Sequence, residues 1–437
     1  MASTSRLAVL AAVLVAASTA EALTLLTAEK VATFSNEAGH QPGVVIRVGR
    51  DRAFATPPDP RCPAATSVRF ALARPPAGFE DHGEVALDCT RWRPDRGGYR
   101  YDAPPAAPGG VRTIRYDPHG MVIRAGGAGF VPVAGPVAYV EAWLTIAGER
   151  HLVRFQNFVE NDAQHVRSRR PSRAAAAGEA AFWDTLWDDV PREQDALRLL
   201  ERAVRHRATD GRSQFLLGML HLYRAARNID FENPTPFTLA ENAAGKDHLA
   251  IAAQLLATDT RIAGFHAAAT YADAYLHDDA AGVAAALQTL DDEVAIYPIF
   301  NSFDLFAVVP PTISGKSEFF QTRVLPLEDL VLIDNASCLE THPEVCTNAG
   351  MAPHNLEGTL LLLGDIYAKG GRLASARSWY GLARVFGTGN HYRYQATIVD
   401  HLAHAAERVA LSQDDDPQND PPLIGNGAGS CIYCHNK

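Results

Sequence analysis

The chain has 437 residues, 47% hydrophobic and 21% charged, with 40 Lys+Arg against 50 Asp+Glu for a formal charge of −10. This composition fits a globular chain with a sizeable core and excludes bulk disorder, collagen-like repetition and a disulfide-dense miniprotein. The acidic balance argues against a nucleic-acid partner, which needs a basic surface to release counterions from phosphate.

Arg6 is the only charge ahead of an apolar run from Leu7 to Ala17, and Ala20-Glu21-Ala22 follows with small residues at a cleavage position. Residues 1–22 therefore read as a secretory signal, with the mature chain starting at Leu23 in a bacterial periplasm or outside the cell. A spanning helix needs about 20 apolar residues, and no later stretch approaches that length. No transmembrane segment is expected after cleavage. In an exported chain the even count of six cysteines favours disulfides, and Cys62 with Cys89 and Cys338 with Cys346 are the simplest local pairs.

Residues 23–160 carry strand signals. Val140, Ala142, Leu144 and Ile146 alternate with Glu141, Trp143 and Thr145, and a turn at Gly148-Glu149 leads into Val153 and Phe155. Ile114 and Tyr116 precede a turn at Asp117-Pro118-His119-Gly120, then Met121-Val122-Ile123. An N-terminal antiparallel β-sandwich is expected, with the segment around Trp92 and Gly97-Gly98-Tyr99 as a loop between strands. Residues 161–178, with Arg167, Arg169, Arg170 and Arg173, read as a basic linker entering a helix.

From 179 to 412 the period becomes helical. Ala196, Leu200, Ala203 and Val204 share one face, and Leu216, Leu217 and Leu220 form the next. Leu363-Gly364, Tyr367, Ala376, Tyr380 and Ala383 follow the tetratricopeptide spacing, with Gly370-Gly371 at the turn and Thr388 where a Pro is usual. Small Gly364 and Ala376 let two helices approach. Weaker copies start at Leu217-Gly218, resuming at Ala250 and Ala257 after Asn233-Pro234-Thr235-Pro236, and at 264–296. The chain thus resembles the tetratricopeptide-like superfamily over about 230 residues, which implies an all-α repeat domain with a groove for a protein partner. Residues 297–356, with Phe300, Phe303, Phe306, Phe319, Phe320 and the Cys338/Cys346 loop, read as an insertion packed on the repeats or capping them. Residues 413–430 are acidic, then Gly-rich, and read as a flexible tether.

The chain ends Cys431-Ile432-Tyr433-Cys434-His435-Asn436-Lys437. This is C-x-x-C-H, the c-type haem attachment signature. Two thiols three positions apart reach the two vinyl groups of one haem, and the adjacent His435 lies under the iron as proximal ligand. A disulfide or redox dithiol is the competing reading, while tetrahedral zinc lacks a second Cys pair. No cytochrome fold fits into the two residues after His435, so a sixth ligand comes from upstream, from a partner, or is absent. His401 and His404 on the last helix are the candidates, with His391, Met351 and His354 as further options.

The export signal, the helical domain with Ala352-Pro353-His354-Asn355-Leu356-Glu357-Gly358 before Leu363-Gly364-Asp365, and the terminal C-x-x-C-H together resemble a group of bacterial secreted proteins. The likeness covers roughly residues 190–437 and implies a periplasmic location and one covalent haem c. Asn355 is positioned to N-cap the helix, with Glu357 near its positive end. There is no G-x-S-x-G, H-E-x-x-H, phosphate-cradling G-x-x-x-x-G-K or EF-hand loop, and no catalytic set is assigned. The expected function is an exported haem protein in electron transfer or with a redox partner. The alternative is a non-catalytic scaffold whose terminal Cys pair is a disulfide.

Overall fold

The computed structural model describes residues 23–36, 42–62, 65–73, 79–104, 108–127, 130–187, 192–227, 233–309, 313–326, 351–352, 354–389, 392–414, 416 and 419–423. The proposed signal, Cys338, Cys346 and the haem motif lie outside them.

A β-rich region comes first. Its strands are β1 (Leu23–Leu25), β2 (Lys30–Ser35), β3 (Gly43–Val48), β4 (Thr66–Ala73), β5 (Phe79–Ala86), β6 (Trp92–Asp95) and β7 (Gly98–Asp102). They continue with β8 (Val111–Asp117), β9 (Gly120–Gly126), β10 (Tyr139–Ile146), β11 (Glu149–Phe155), β12 (Phe158–Asn161) and β13 (His165–Ser168). One sheet has the order β1-β11-β10-β4-β5 and the other β12-β13-β2-β3-β9-β8-β7-β6. The pairing is antiparallel except that β1 runs parallel to β11. Phe34, Ile46, Ile114 and Ile123 of the larger sheet meet Phe70, Leu72, Val140 and Leu144 of the smaller in one buried cluster.

Strands β10 and β11 form the expected hairpin, with Ile146 opposite Glu149. Ala147 and Gly148 make its two-residue turn, both with positive φ (55° and 85°), a conformation that matches the twist of the flanking strands. Val140, Ala142, Leu144 and Ile146 face the other sheet, whereas Trp143 packs on the helices. Glu141, on the alternate face, is only 2% exposed because helices cover that side.

Two expectations change here. The segment at Trp92 is a hairpin of β6 and β7, turned at Arg96-Gly97 with φ of 52° and 80°. Trp92 is buried against Tyr101 and Tyr116, so the ring anchors the hairpin to the core. The linker reading of 161–178 gives way at His165–Ser168, where β13 pairs with β2, while the expected helix begins at Arg173. Arg170 and Arg173 misled because their acidic partner is distant in sequence. Arg170 pairs with Glu29 at 2.7 Å and Arg173 with the same carboxylate at 3.6 Å, while Arg167 pairs with Glu160.

A helical region follows: α1 (Arg173–Trp187), α2 (Glu193–His206), α3 (Gly211–Ala226), α4 (Pro236–Leu255), α5 (Thr260–Leu276) and α6 (Ala280–Ile296). Then come α7 (Pro298–Ala307), α8 (Asn355–Lys369), α9 (Leu373–Gly389), α10 (Gln395–Ala403) and α11 (Ala405–Gln413). Consecutive helices pack on each other, α3 with α4, α5 with α6 and α8 with α9. Helix α4 starts where Thr235 accepts the amide of Thr238 at 3.1 Å, with Pro236 at the first helical position. In the α8–α9 pair, Leu363, Ala376, Tyr380 and Ala383 are fully buried, and the Tyr380 ring lies where a side chain on Gly364 would stand. Asn355 is the first residue of α8 and His354 holds the cap position, a shift of one place from the expected cap. From the insertion, Phe320, Val324 and Leu325 are buried in the α8–α9 core. Among the described residues no helix is long and apolar enough to cross a membrane.

Candidate functional site

Cys431, Cys434 and His435 fall outside the described residues, as does His391, so the site is built from the surroundings to which the tail returns. Asp365, in the middle of α8, has a fully buried side chain. Tyr380 of α9 donates its hydroxyl to Oδ1 at 2.6 Å, Arg408 of α11 donates Nη2 at 3.0 Å, and His401 of α10 lies with Nδ1 at 2.8 Å. An ionised carboxylate only accepts, so His401 carries a proton on Nδ1, and Nε2 is the ring nitrogen not engaged by Asp365. Burial works to raise the Asp365 pKa, but the His401 hydrogen bond and the Arg408 charge hold it below the usual carboxylate range. Burial, with the charge of Asp365, pushes the Tyr380 hydroxyl far up, so it stays a donor.

The stretch expected to be a tether meets this network. Arg408 Nη2 also donates to the carbonyl of Pro422 at 3.2 Å, and Lys369 at the end of α8 forms an ion pair with Asp420 at 2.9 Å. Gln413 donates to the Lys369 carbonyl at 2.9 Å, Lys316 donates to that of Asp414 at 2.9 Å, and Leu423 is buried in the helical core. The described part of 413–430 is thus seated on the helices rather than loose. The acidic composition is explained in part by this seat, because Asp420 meets a buried ammonium.

The candidate sixth ligands do not converge. His401 is mostly buried and points at Asp365, whereas His404 is exposed and its Nδ1 donates to the Asp400 carbonyl one turn back at 3.0 Å. His354 lies 3.5 Å from Glu357 and its ring meets Tyr392 with centroids 5.2 Å apart. Met351 is buried in the cluster joining Trp143 and Leu152 of the sheet to α1, and its carbonyl accepts Trp187 Nε1 at 3.0 Å. Cys62 and Cys89 are joined in a disulfide, with Cα atoms 5.0 Å apart.

A second polar cluster at the joint between sheet and helices escaped the sequence reading. Arg154 of β11 donates to Glu141 of β10 at 2.7 Å, and Arg261 of α5 grips Asp259 at 2.7 and 2.6 Å. Tyr139 lies between the two guanidinium groups, with ring centroid distances of 4.5 and 4.2 Å. Beside them Glu179 of α1 takes Arg212 at 2.9 Å and Lys30 of β2 at 3.4 Å. A cavity of about 30 Å³ opens among Lys30, Arg154, Ser168, Arg212 and Ser213. Of these contacts, the Lys30–Glu179 pair and the stack of Arg261 on Tyr139 join the first region to the second, and the other charge pairs lie within one region or the other. Among the described residues, no group of three or more His, Cys, Asp or Glu side chains is disposed to hold a metal.

Comparison with protein-family models, with curated proteins and with solved structures finds no match for this chain.

Proposed function

We propose that the protein is an exported c-type haem protein in which Cys431 and Cys434 would carry one haem as thioethers and His435 and His401 would ligate its iron. The observation that carries this reading is the terminal C-x-x-C-H. The donor set suits the group: two thiols, one adjacent imidazole, and a second imidazole whose Nδ1–H is held by a carboxylate. Such a carboxylate partner fixes the tautomer and ring orientation of a metal-binding histidine and raises its basicity.

Chain length supports the pairing. Leu423 is seated on the helices, and seven residues separate it from Cys431. Fully extended, that segment reaches about 28 Å, and as a flexible coil about 15 Å. When bound, the haem supplies one-electron redox chemistry. The chain's own residues orient and shield. Asp365 holds the proton on His401 Nδ1, Tyr380 and Arg408 fix Asp365, and Lys369 with Asp420 holds the entering segment. The tetratricopeptide-like reading of the helices gives this site a scaffold for a redox partner, with the β-sandwich reading of the first region as a second surface.

The test is expression of the full chain in a bacterium with haem-maturation machinery. A pyridine haemochrome spectrum of the bis-thioether type and an intact mass increased by one haem are expected. Cys431 and Cys434 found as thiols, or joined only to each other, would overturn the reading and leave a scaffold.

A further inference from the structure

Helix α7 packs on both α5 and α6, and three of its polar side chains, Asn301, Ser302 and Asp304, are buried. Asn301 is 0% exposed, and its Nδ2 donates to the carbonyls of Glu293 at 2.8 Å and Thr260 at 3.5 Å. Because the nitrogen is committed to two carbonyl oxygens, the amide cannot be turned over, and Oδ1 must point the other way. There it meets no donor. One turn on, Asp304 is 1% exposed, and neither of its carboxylate oxygens has a hydrogen-bond partner.

These oxygens face one spot. Asp304 Oδ2 and Asn301 Oδ1 both lie within 3.1 Å of the point where a Cβ on Gly264 of α5 would stand. The Asp304 oxygen itself fills that point, so glycine at 264 is what lets α7 press these oxygens against α5. Oε2 of Glu293, near the end of α6, is also buried without a partner, and its charge acts on Asp304. These side chains gather acceptors, while the hydroxyls of Thr260 and Ser302 nearby are likewise buried without a partner. Arg261, the cation whose charge reaches Asp304, already has its guanidinium paired with Asp259. An ionised, unpaired carboxylate buried here costs several kcal/mol, and burial pushes the Asp304 pKa up, so Asp304 either keeps its proton or shares the site with a positive ion.

We propose that Asp304, Asn301 and Glu293 form a buried site for one hard cation, Ca²⁺. The donors are carboxylate and amide oxygens, which select hard ions over zinc or copper. Mg²⁺ keeps several of its waters, and a junction closed by three helices leaves little room for them. Ca²⁺ accepts flexible, irregular oxygen sets. Its seat would tie α5, α6 and α7 together independently of any haem.

The test uses the full chain, purified without chelator, and reads calcium by elemental analysis, so haem iron does not interfere. Stoichiometric calcium is expected, with a melting temperature about 3–5 °C higher at a hundredfold excess of Ca²⁺ over its Kd than after chelation. Asp304→Asn should lose both the calcium and the shift, while Asp292→Asn, exposed on the same helix as Glu293, should keep them. Wild-type protein free of calcium and melting identically with Ca²⁺ or chelator would overturn the proposal and identify Asp304 as a neutral acid. An Asp304→Asn protein that still binds calcium and responds to it would do the same. Should that variant not fold, the wild-type calcium content and melting response decide alone.

Discussion

Lys369 and Asp420 form an ion pair at 2.9 Å in which both side chains are almost fully buried, although one ends helix α8 and the other lies far along the acidic tail. The pair converts a stretch that composition marks as solvated into part of the helical surface. It also sets the point from which the last residues extend. Asp420→Ala should undock residues 419–423, and undocking rewets the ammonium, which holds the stability loss to about 1–3 kcal/mol. Limited proteolysis and amide hydrogen exchange between 413 and 423 are the measurements. Unchanged protection there would show that the ion pair does not hold the segment.

His401 and His404 differ by three residues and by their surroundings, and the difference predicts opposite results. In the haem-loaded protein, His401→Ala should change a six-coordinate low-spin visible spectrum to a high-spin one. His404→Ala should leave it unaltered. If neither substitution moves the spectrum, the opposite ligand comes from elsewhere, and the role of Asp365 is structural.

His151, on β11, gives the first region an acid sensitivity. Its ring packs on Phe54 with centroids 5.4 Å apart, neither ring nitrogen has a hydrogen bond, and burial pushes its pKa down to about 4, with the Asp51 charge opposing. The unfolded chain takes up this proton near pH 6.5, the folded one only near 4. Stability is therefore complete above pH 6.5 and declines as pH falls toward 4, by about 3 kcal/mol in all. Urea titrations at pH 7.5 and 4.5 should show that decline in the wild type and a smaller one in His151→Phe.

The α8–α9 pair gives a packing contrast. Gly364→Ala would drive a methyl into the Tyr380 ring, whereas a methyl at Gly381 on α9 meets nothing within 4 Å. The first should cost about 1–3 kcal/mol through overpacking. The second should add about 0.5–1 kcal/mol, because alanine is the better helix former. Chemical denaturation of both variants checks the pair, and a neutral Gly364→Ala would mean that the helices can separate without penalty.

The parts legible in the sequence are those specified by local periodicity. The β10–β11 hairpin follows from strict alternation, and the α8–α9 pair from small residues at Gly364 and Ala376 with Tyr380 between. The C-x-x-C-H is legible because its chemistry sits in five consecutive residues. The buried charge network was not. Glu141 and Arg154 are register partners in the β10–β11 hairpin, and Asp259 and Arg261 are two residues apart, but only the packing of helices on the second face of the sheet stacks the two pairs on Tyr139. Arg170 looked like part of a linker because its partner, Glu29, precedes it by most of the first region. Asp304 carried no signal beyond a single acid among Phe residues, since its meaning depends on Gly264 in another helix.

Strand β1 has one neighbour in its sheet, β11, and runs in the same direction as it, with Leu23 beside Arg150. The opening residues therefore have no place to settle until a stretch roughly 130 residues downstream has been made, which is a slow, non-local closure.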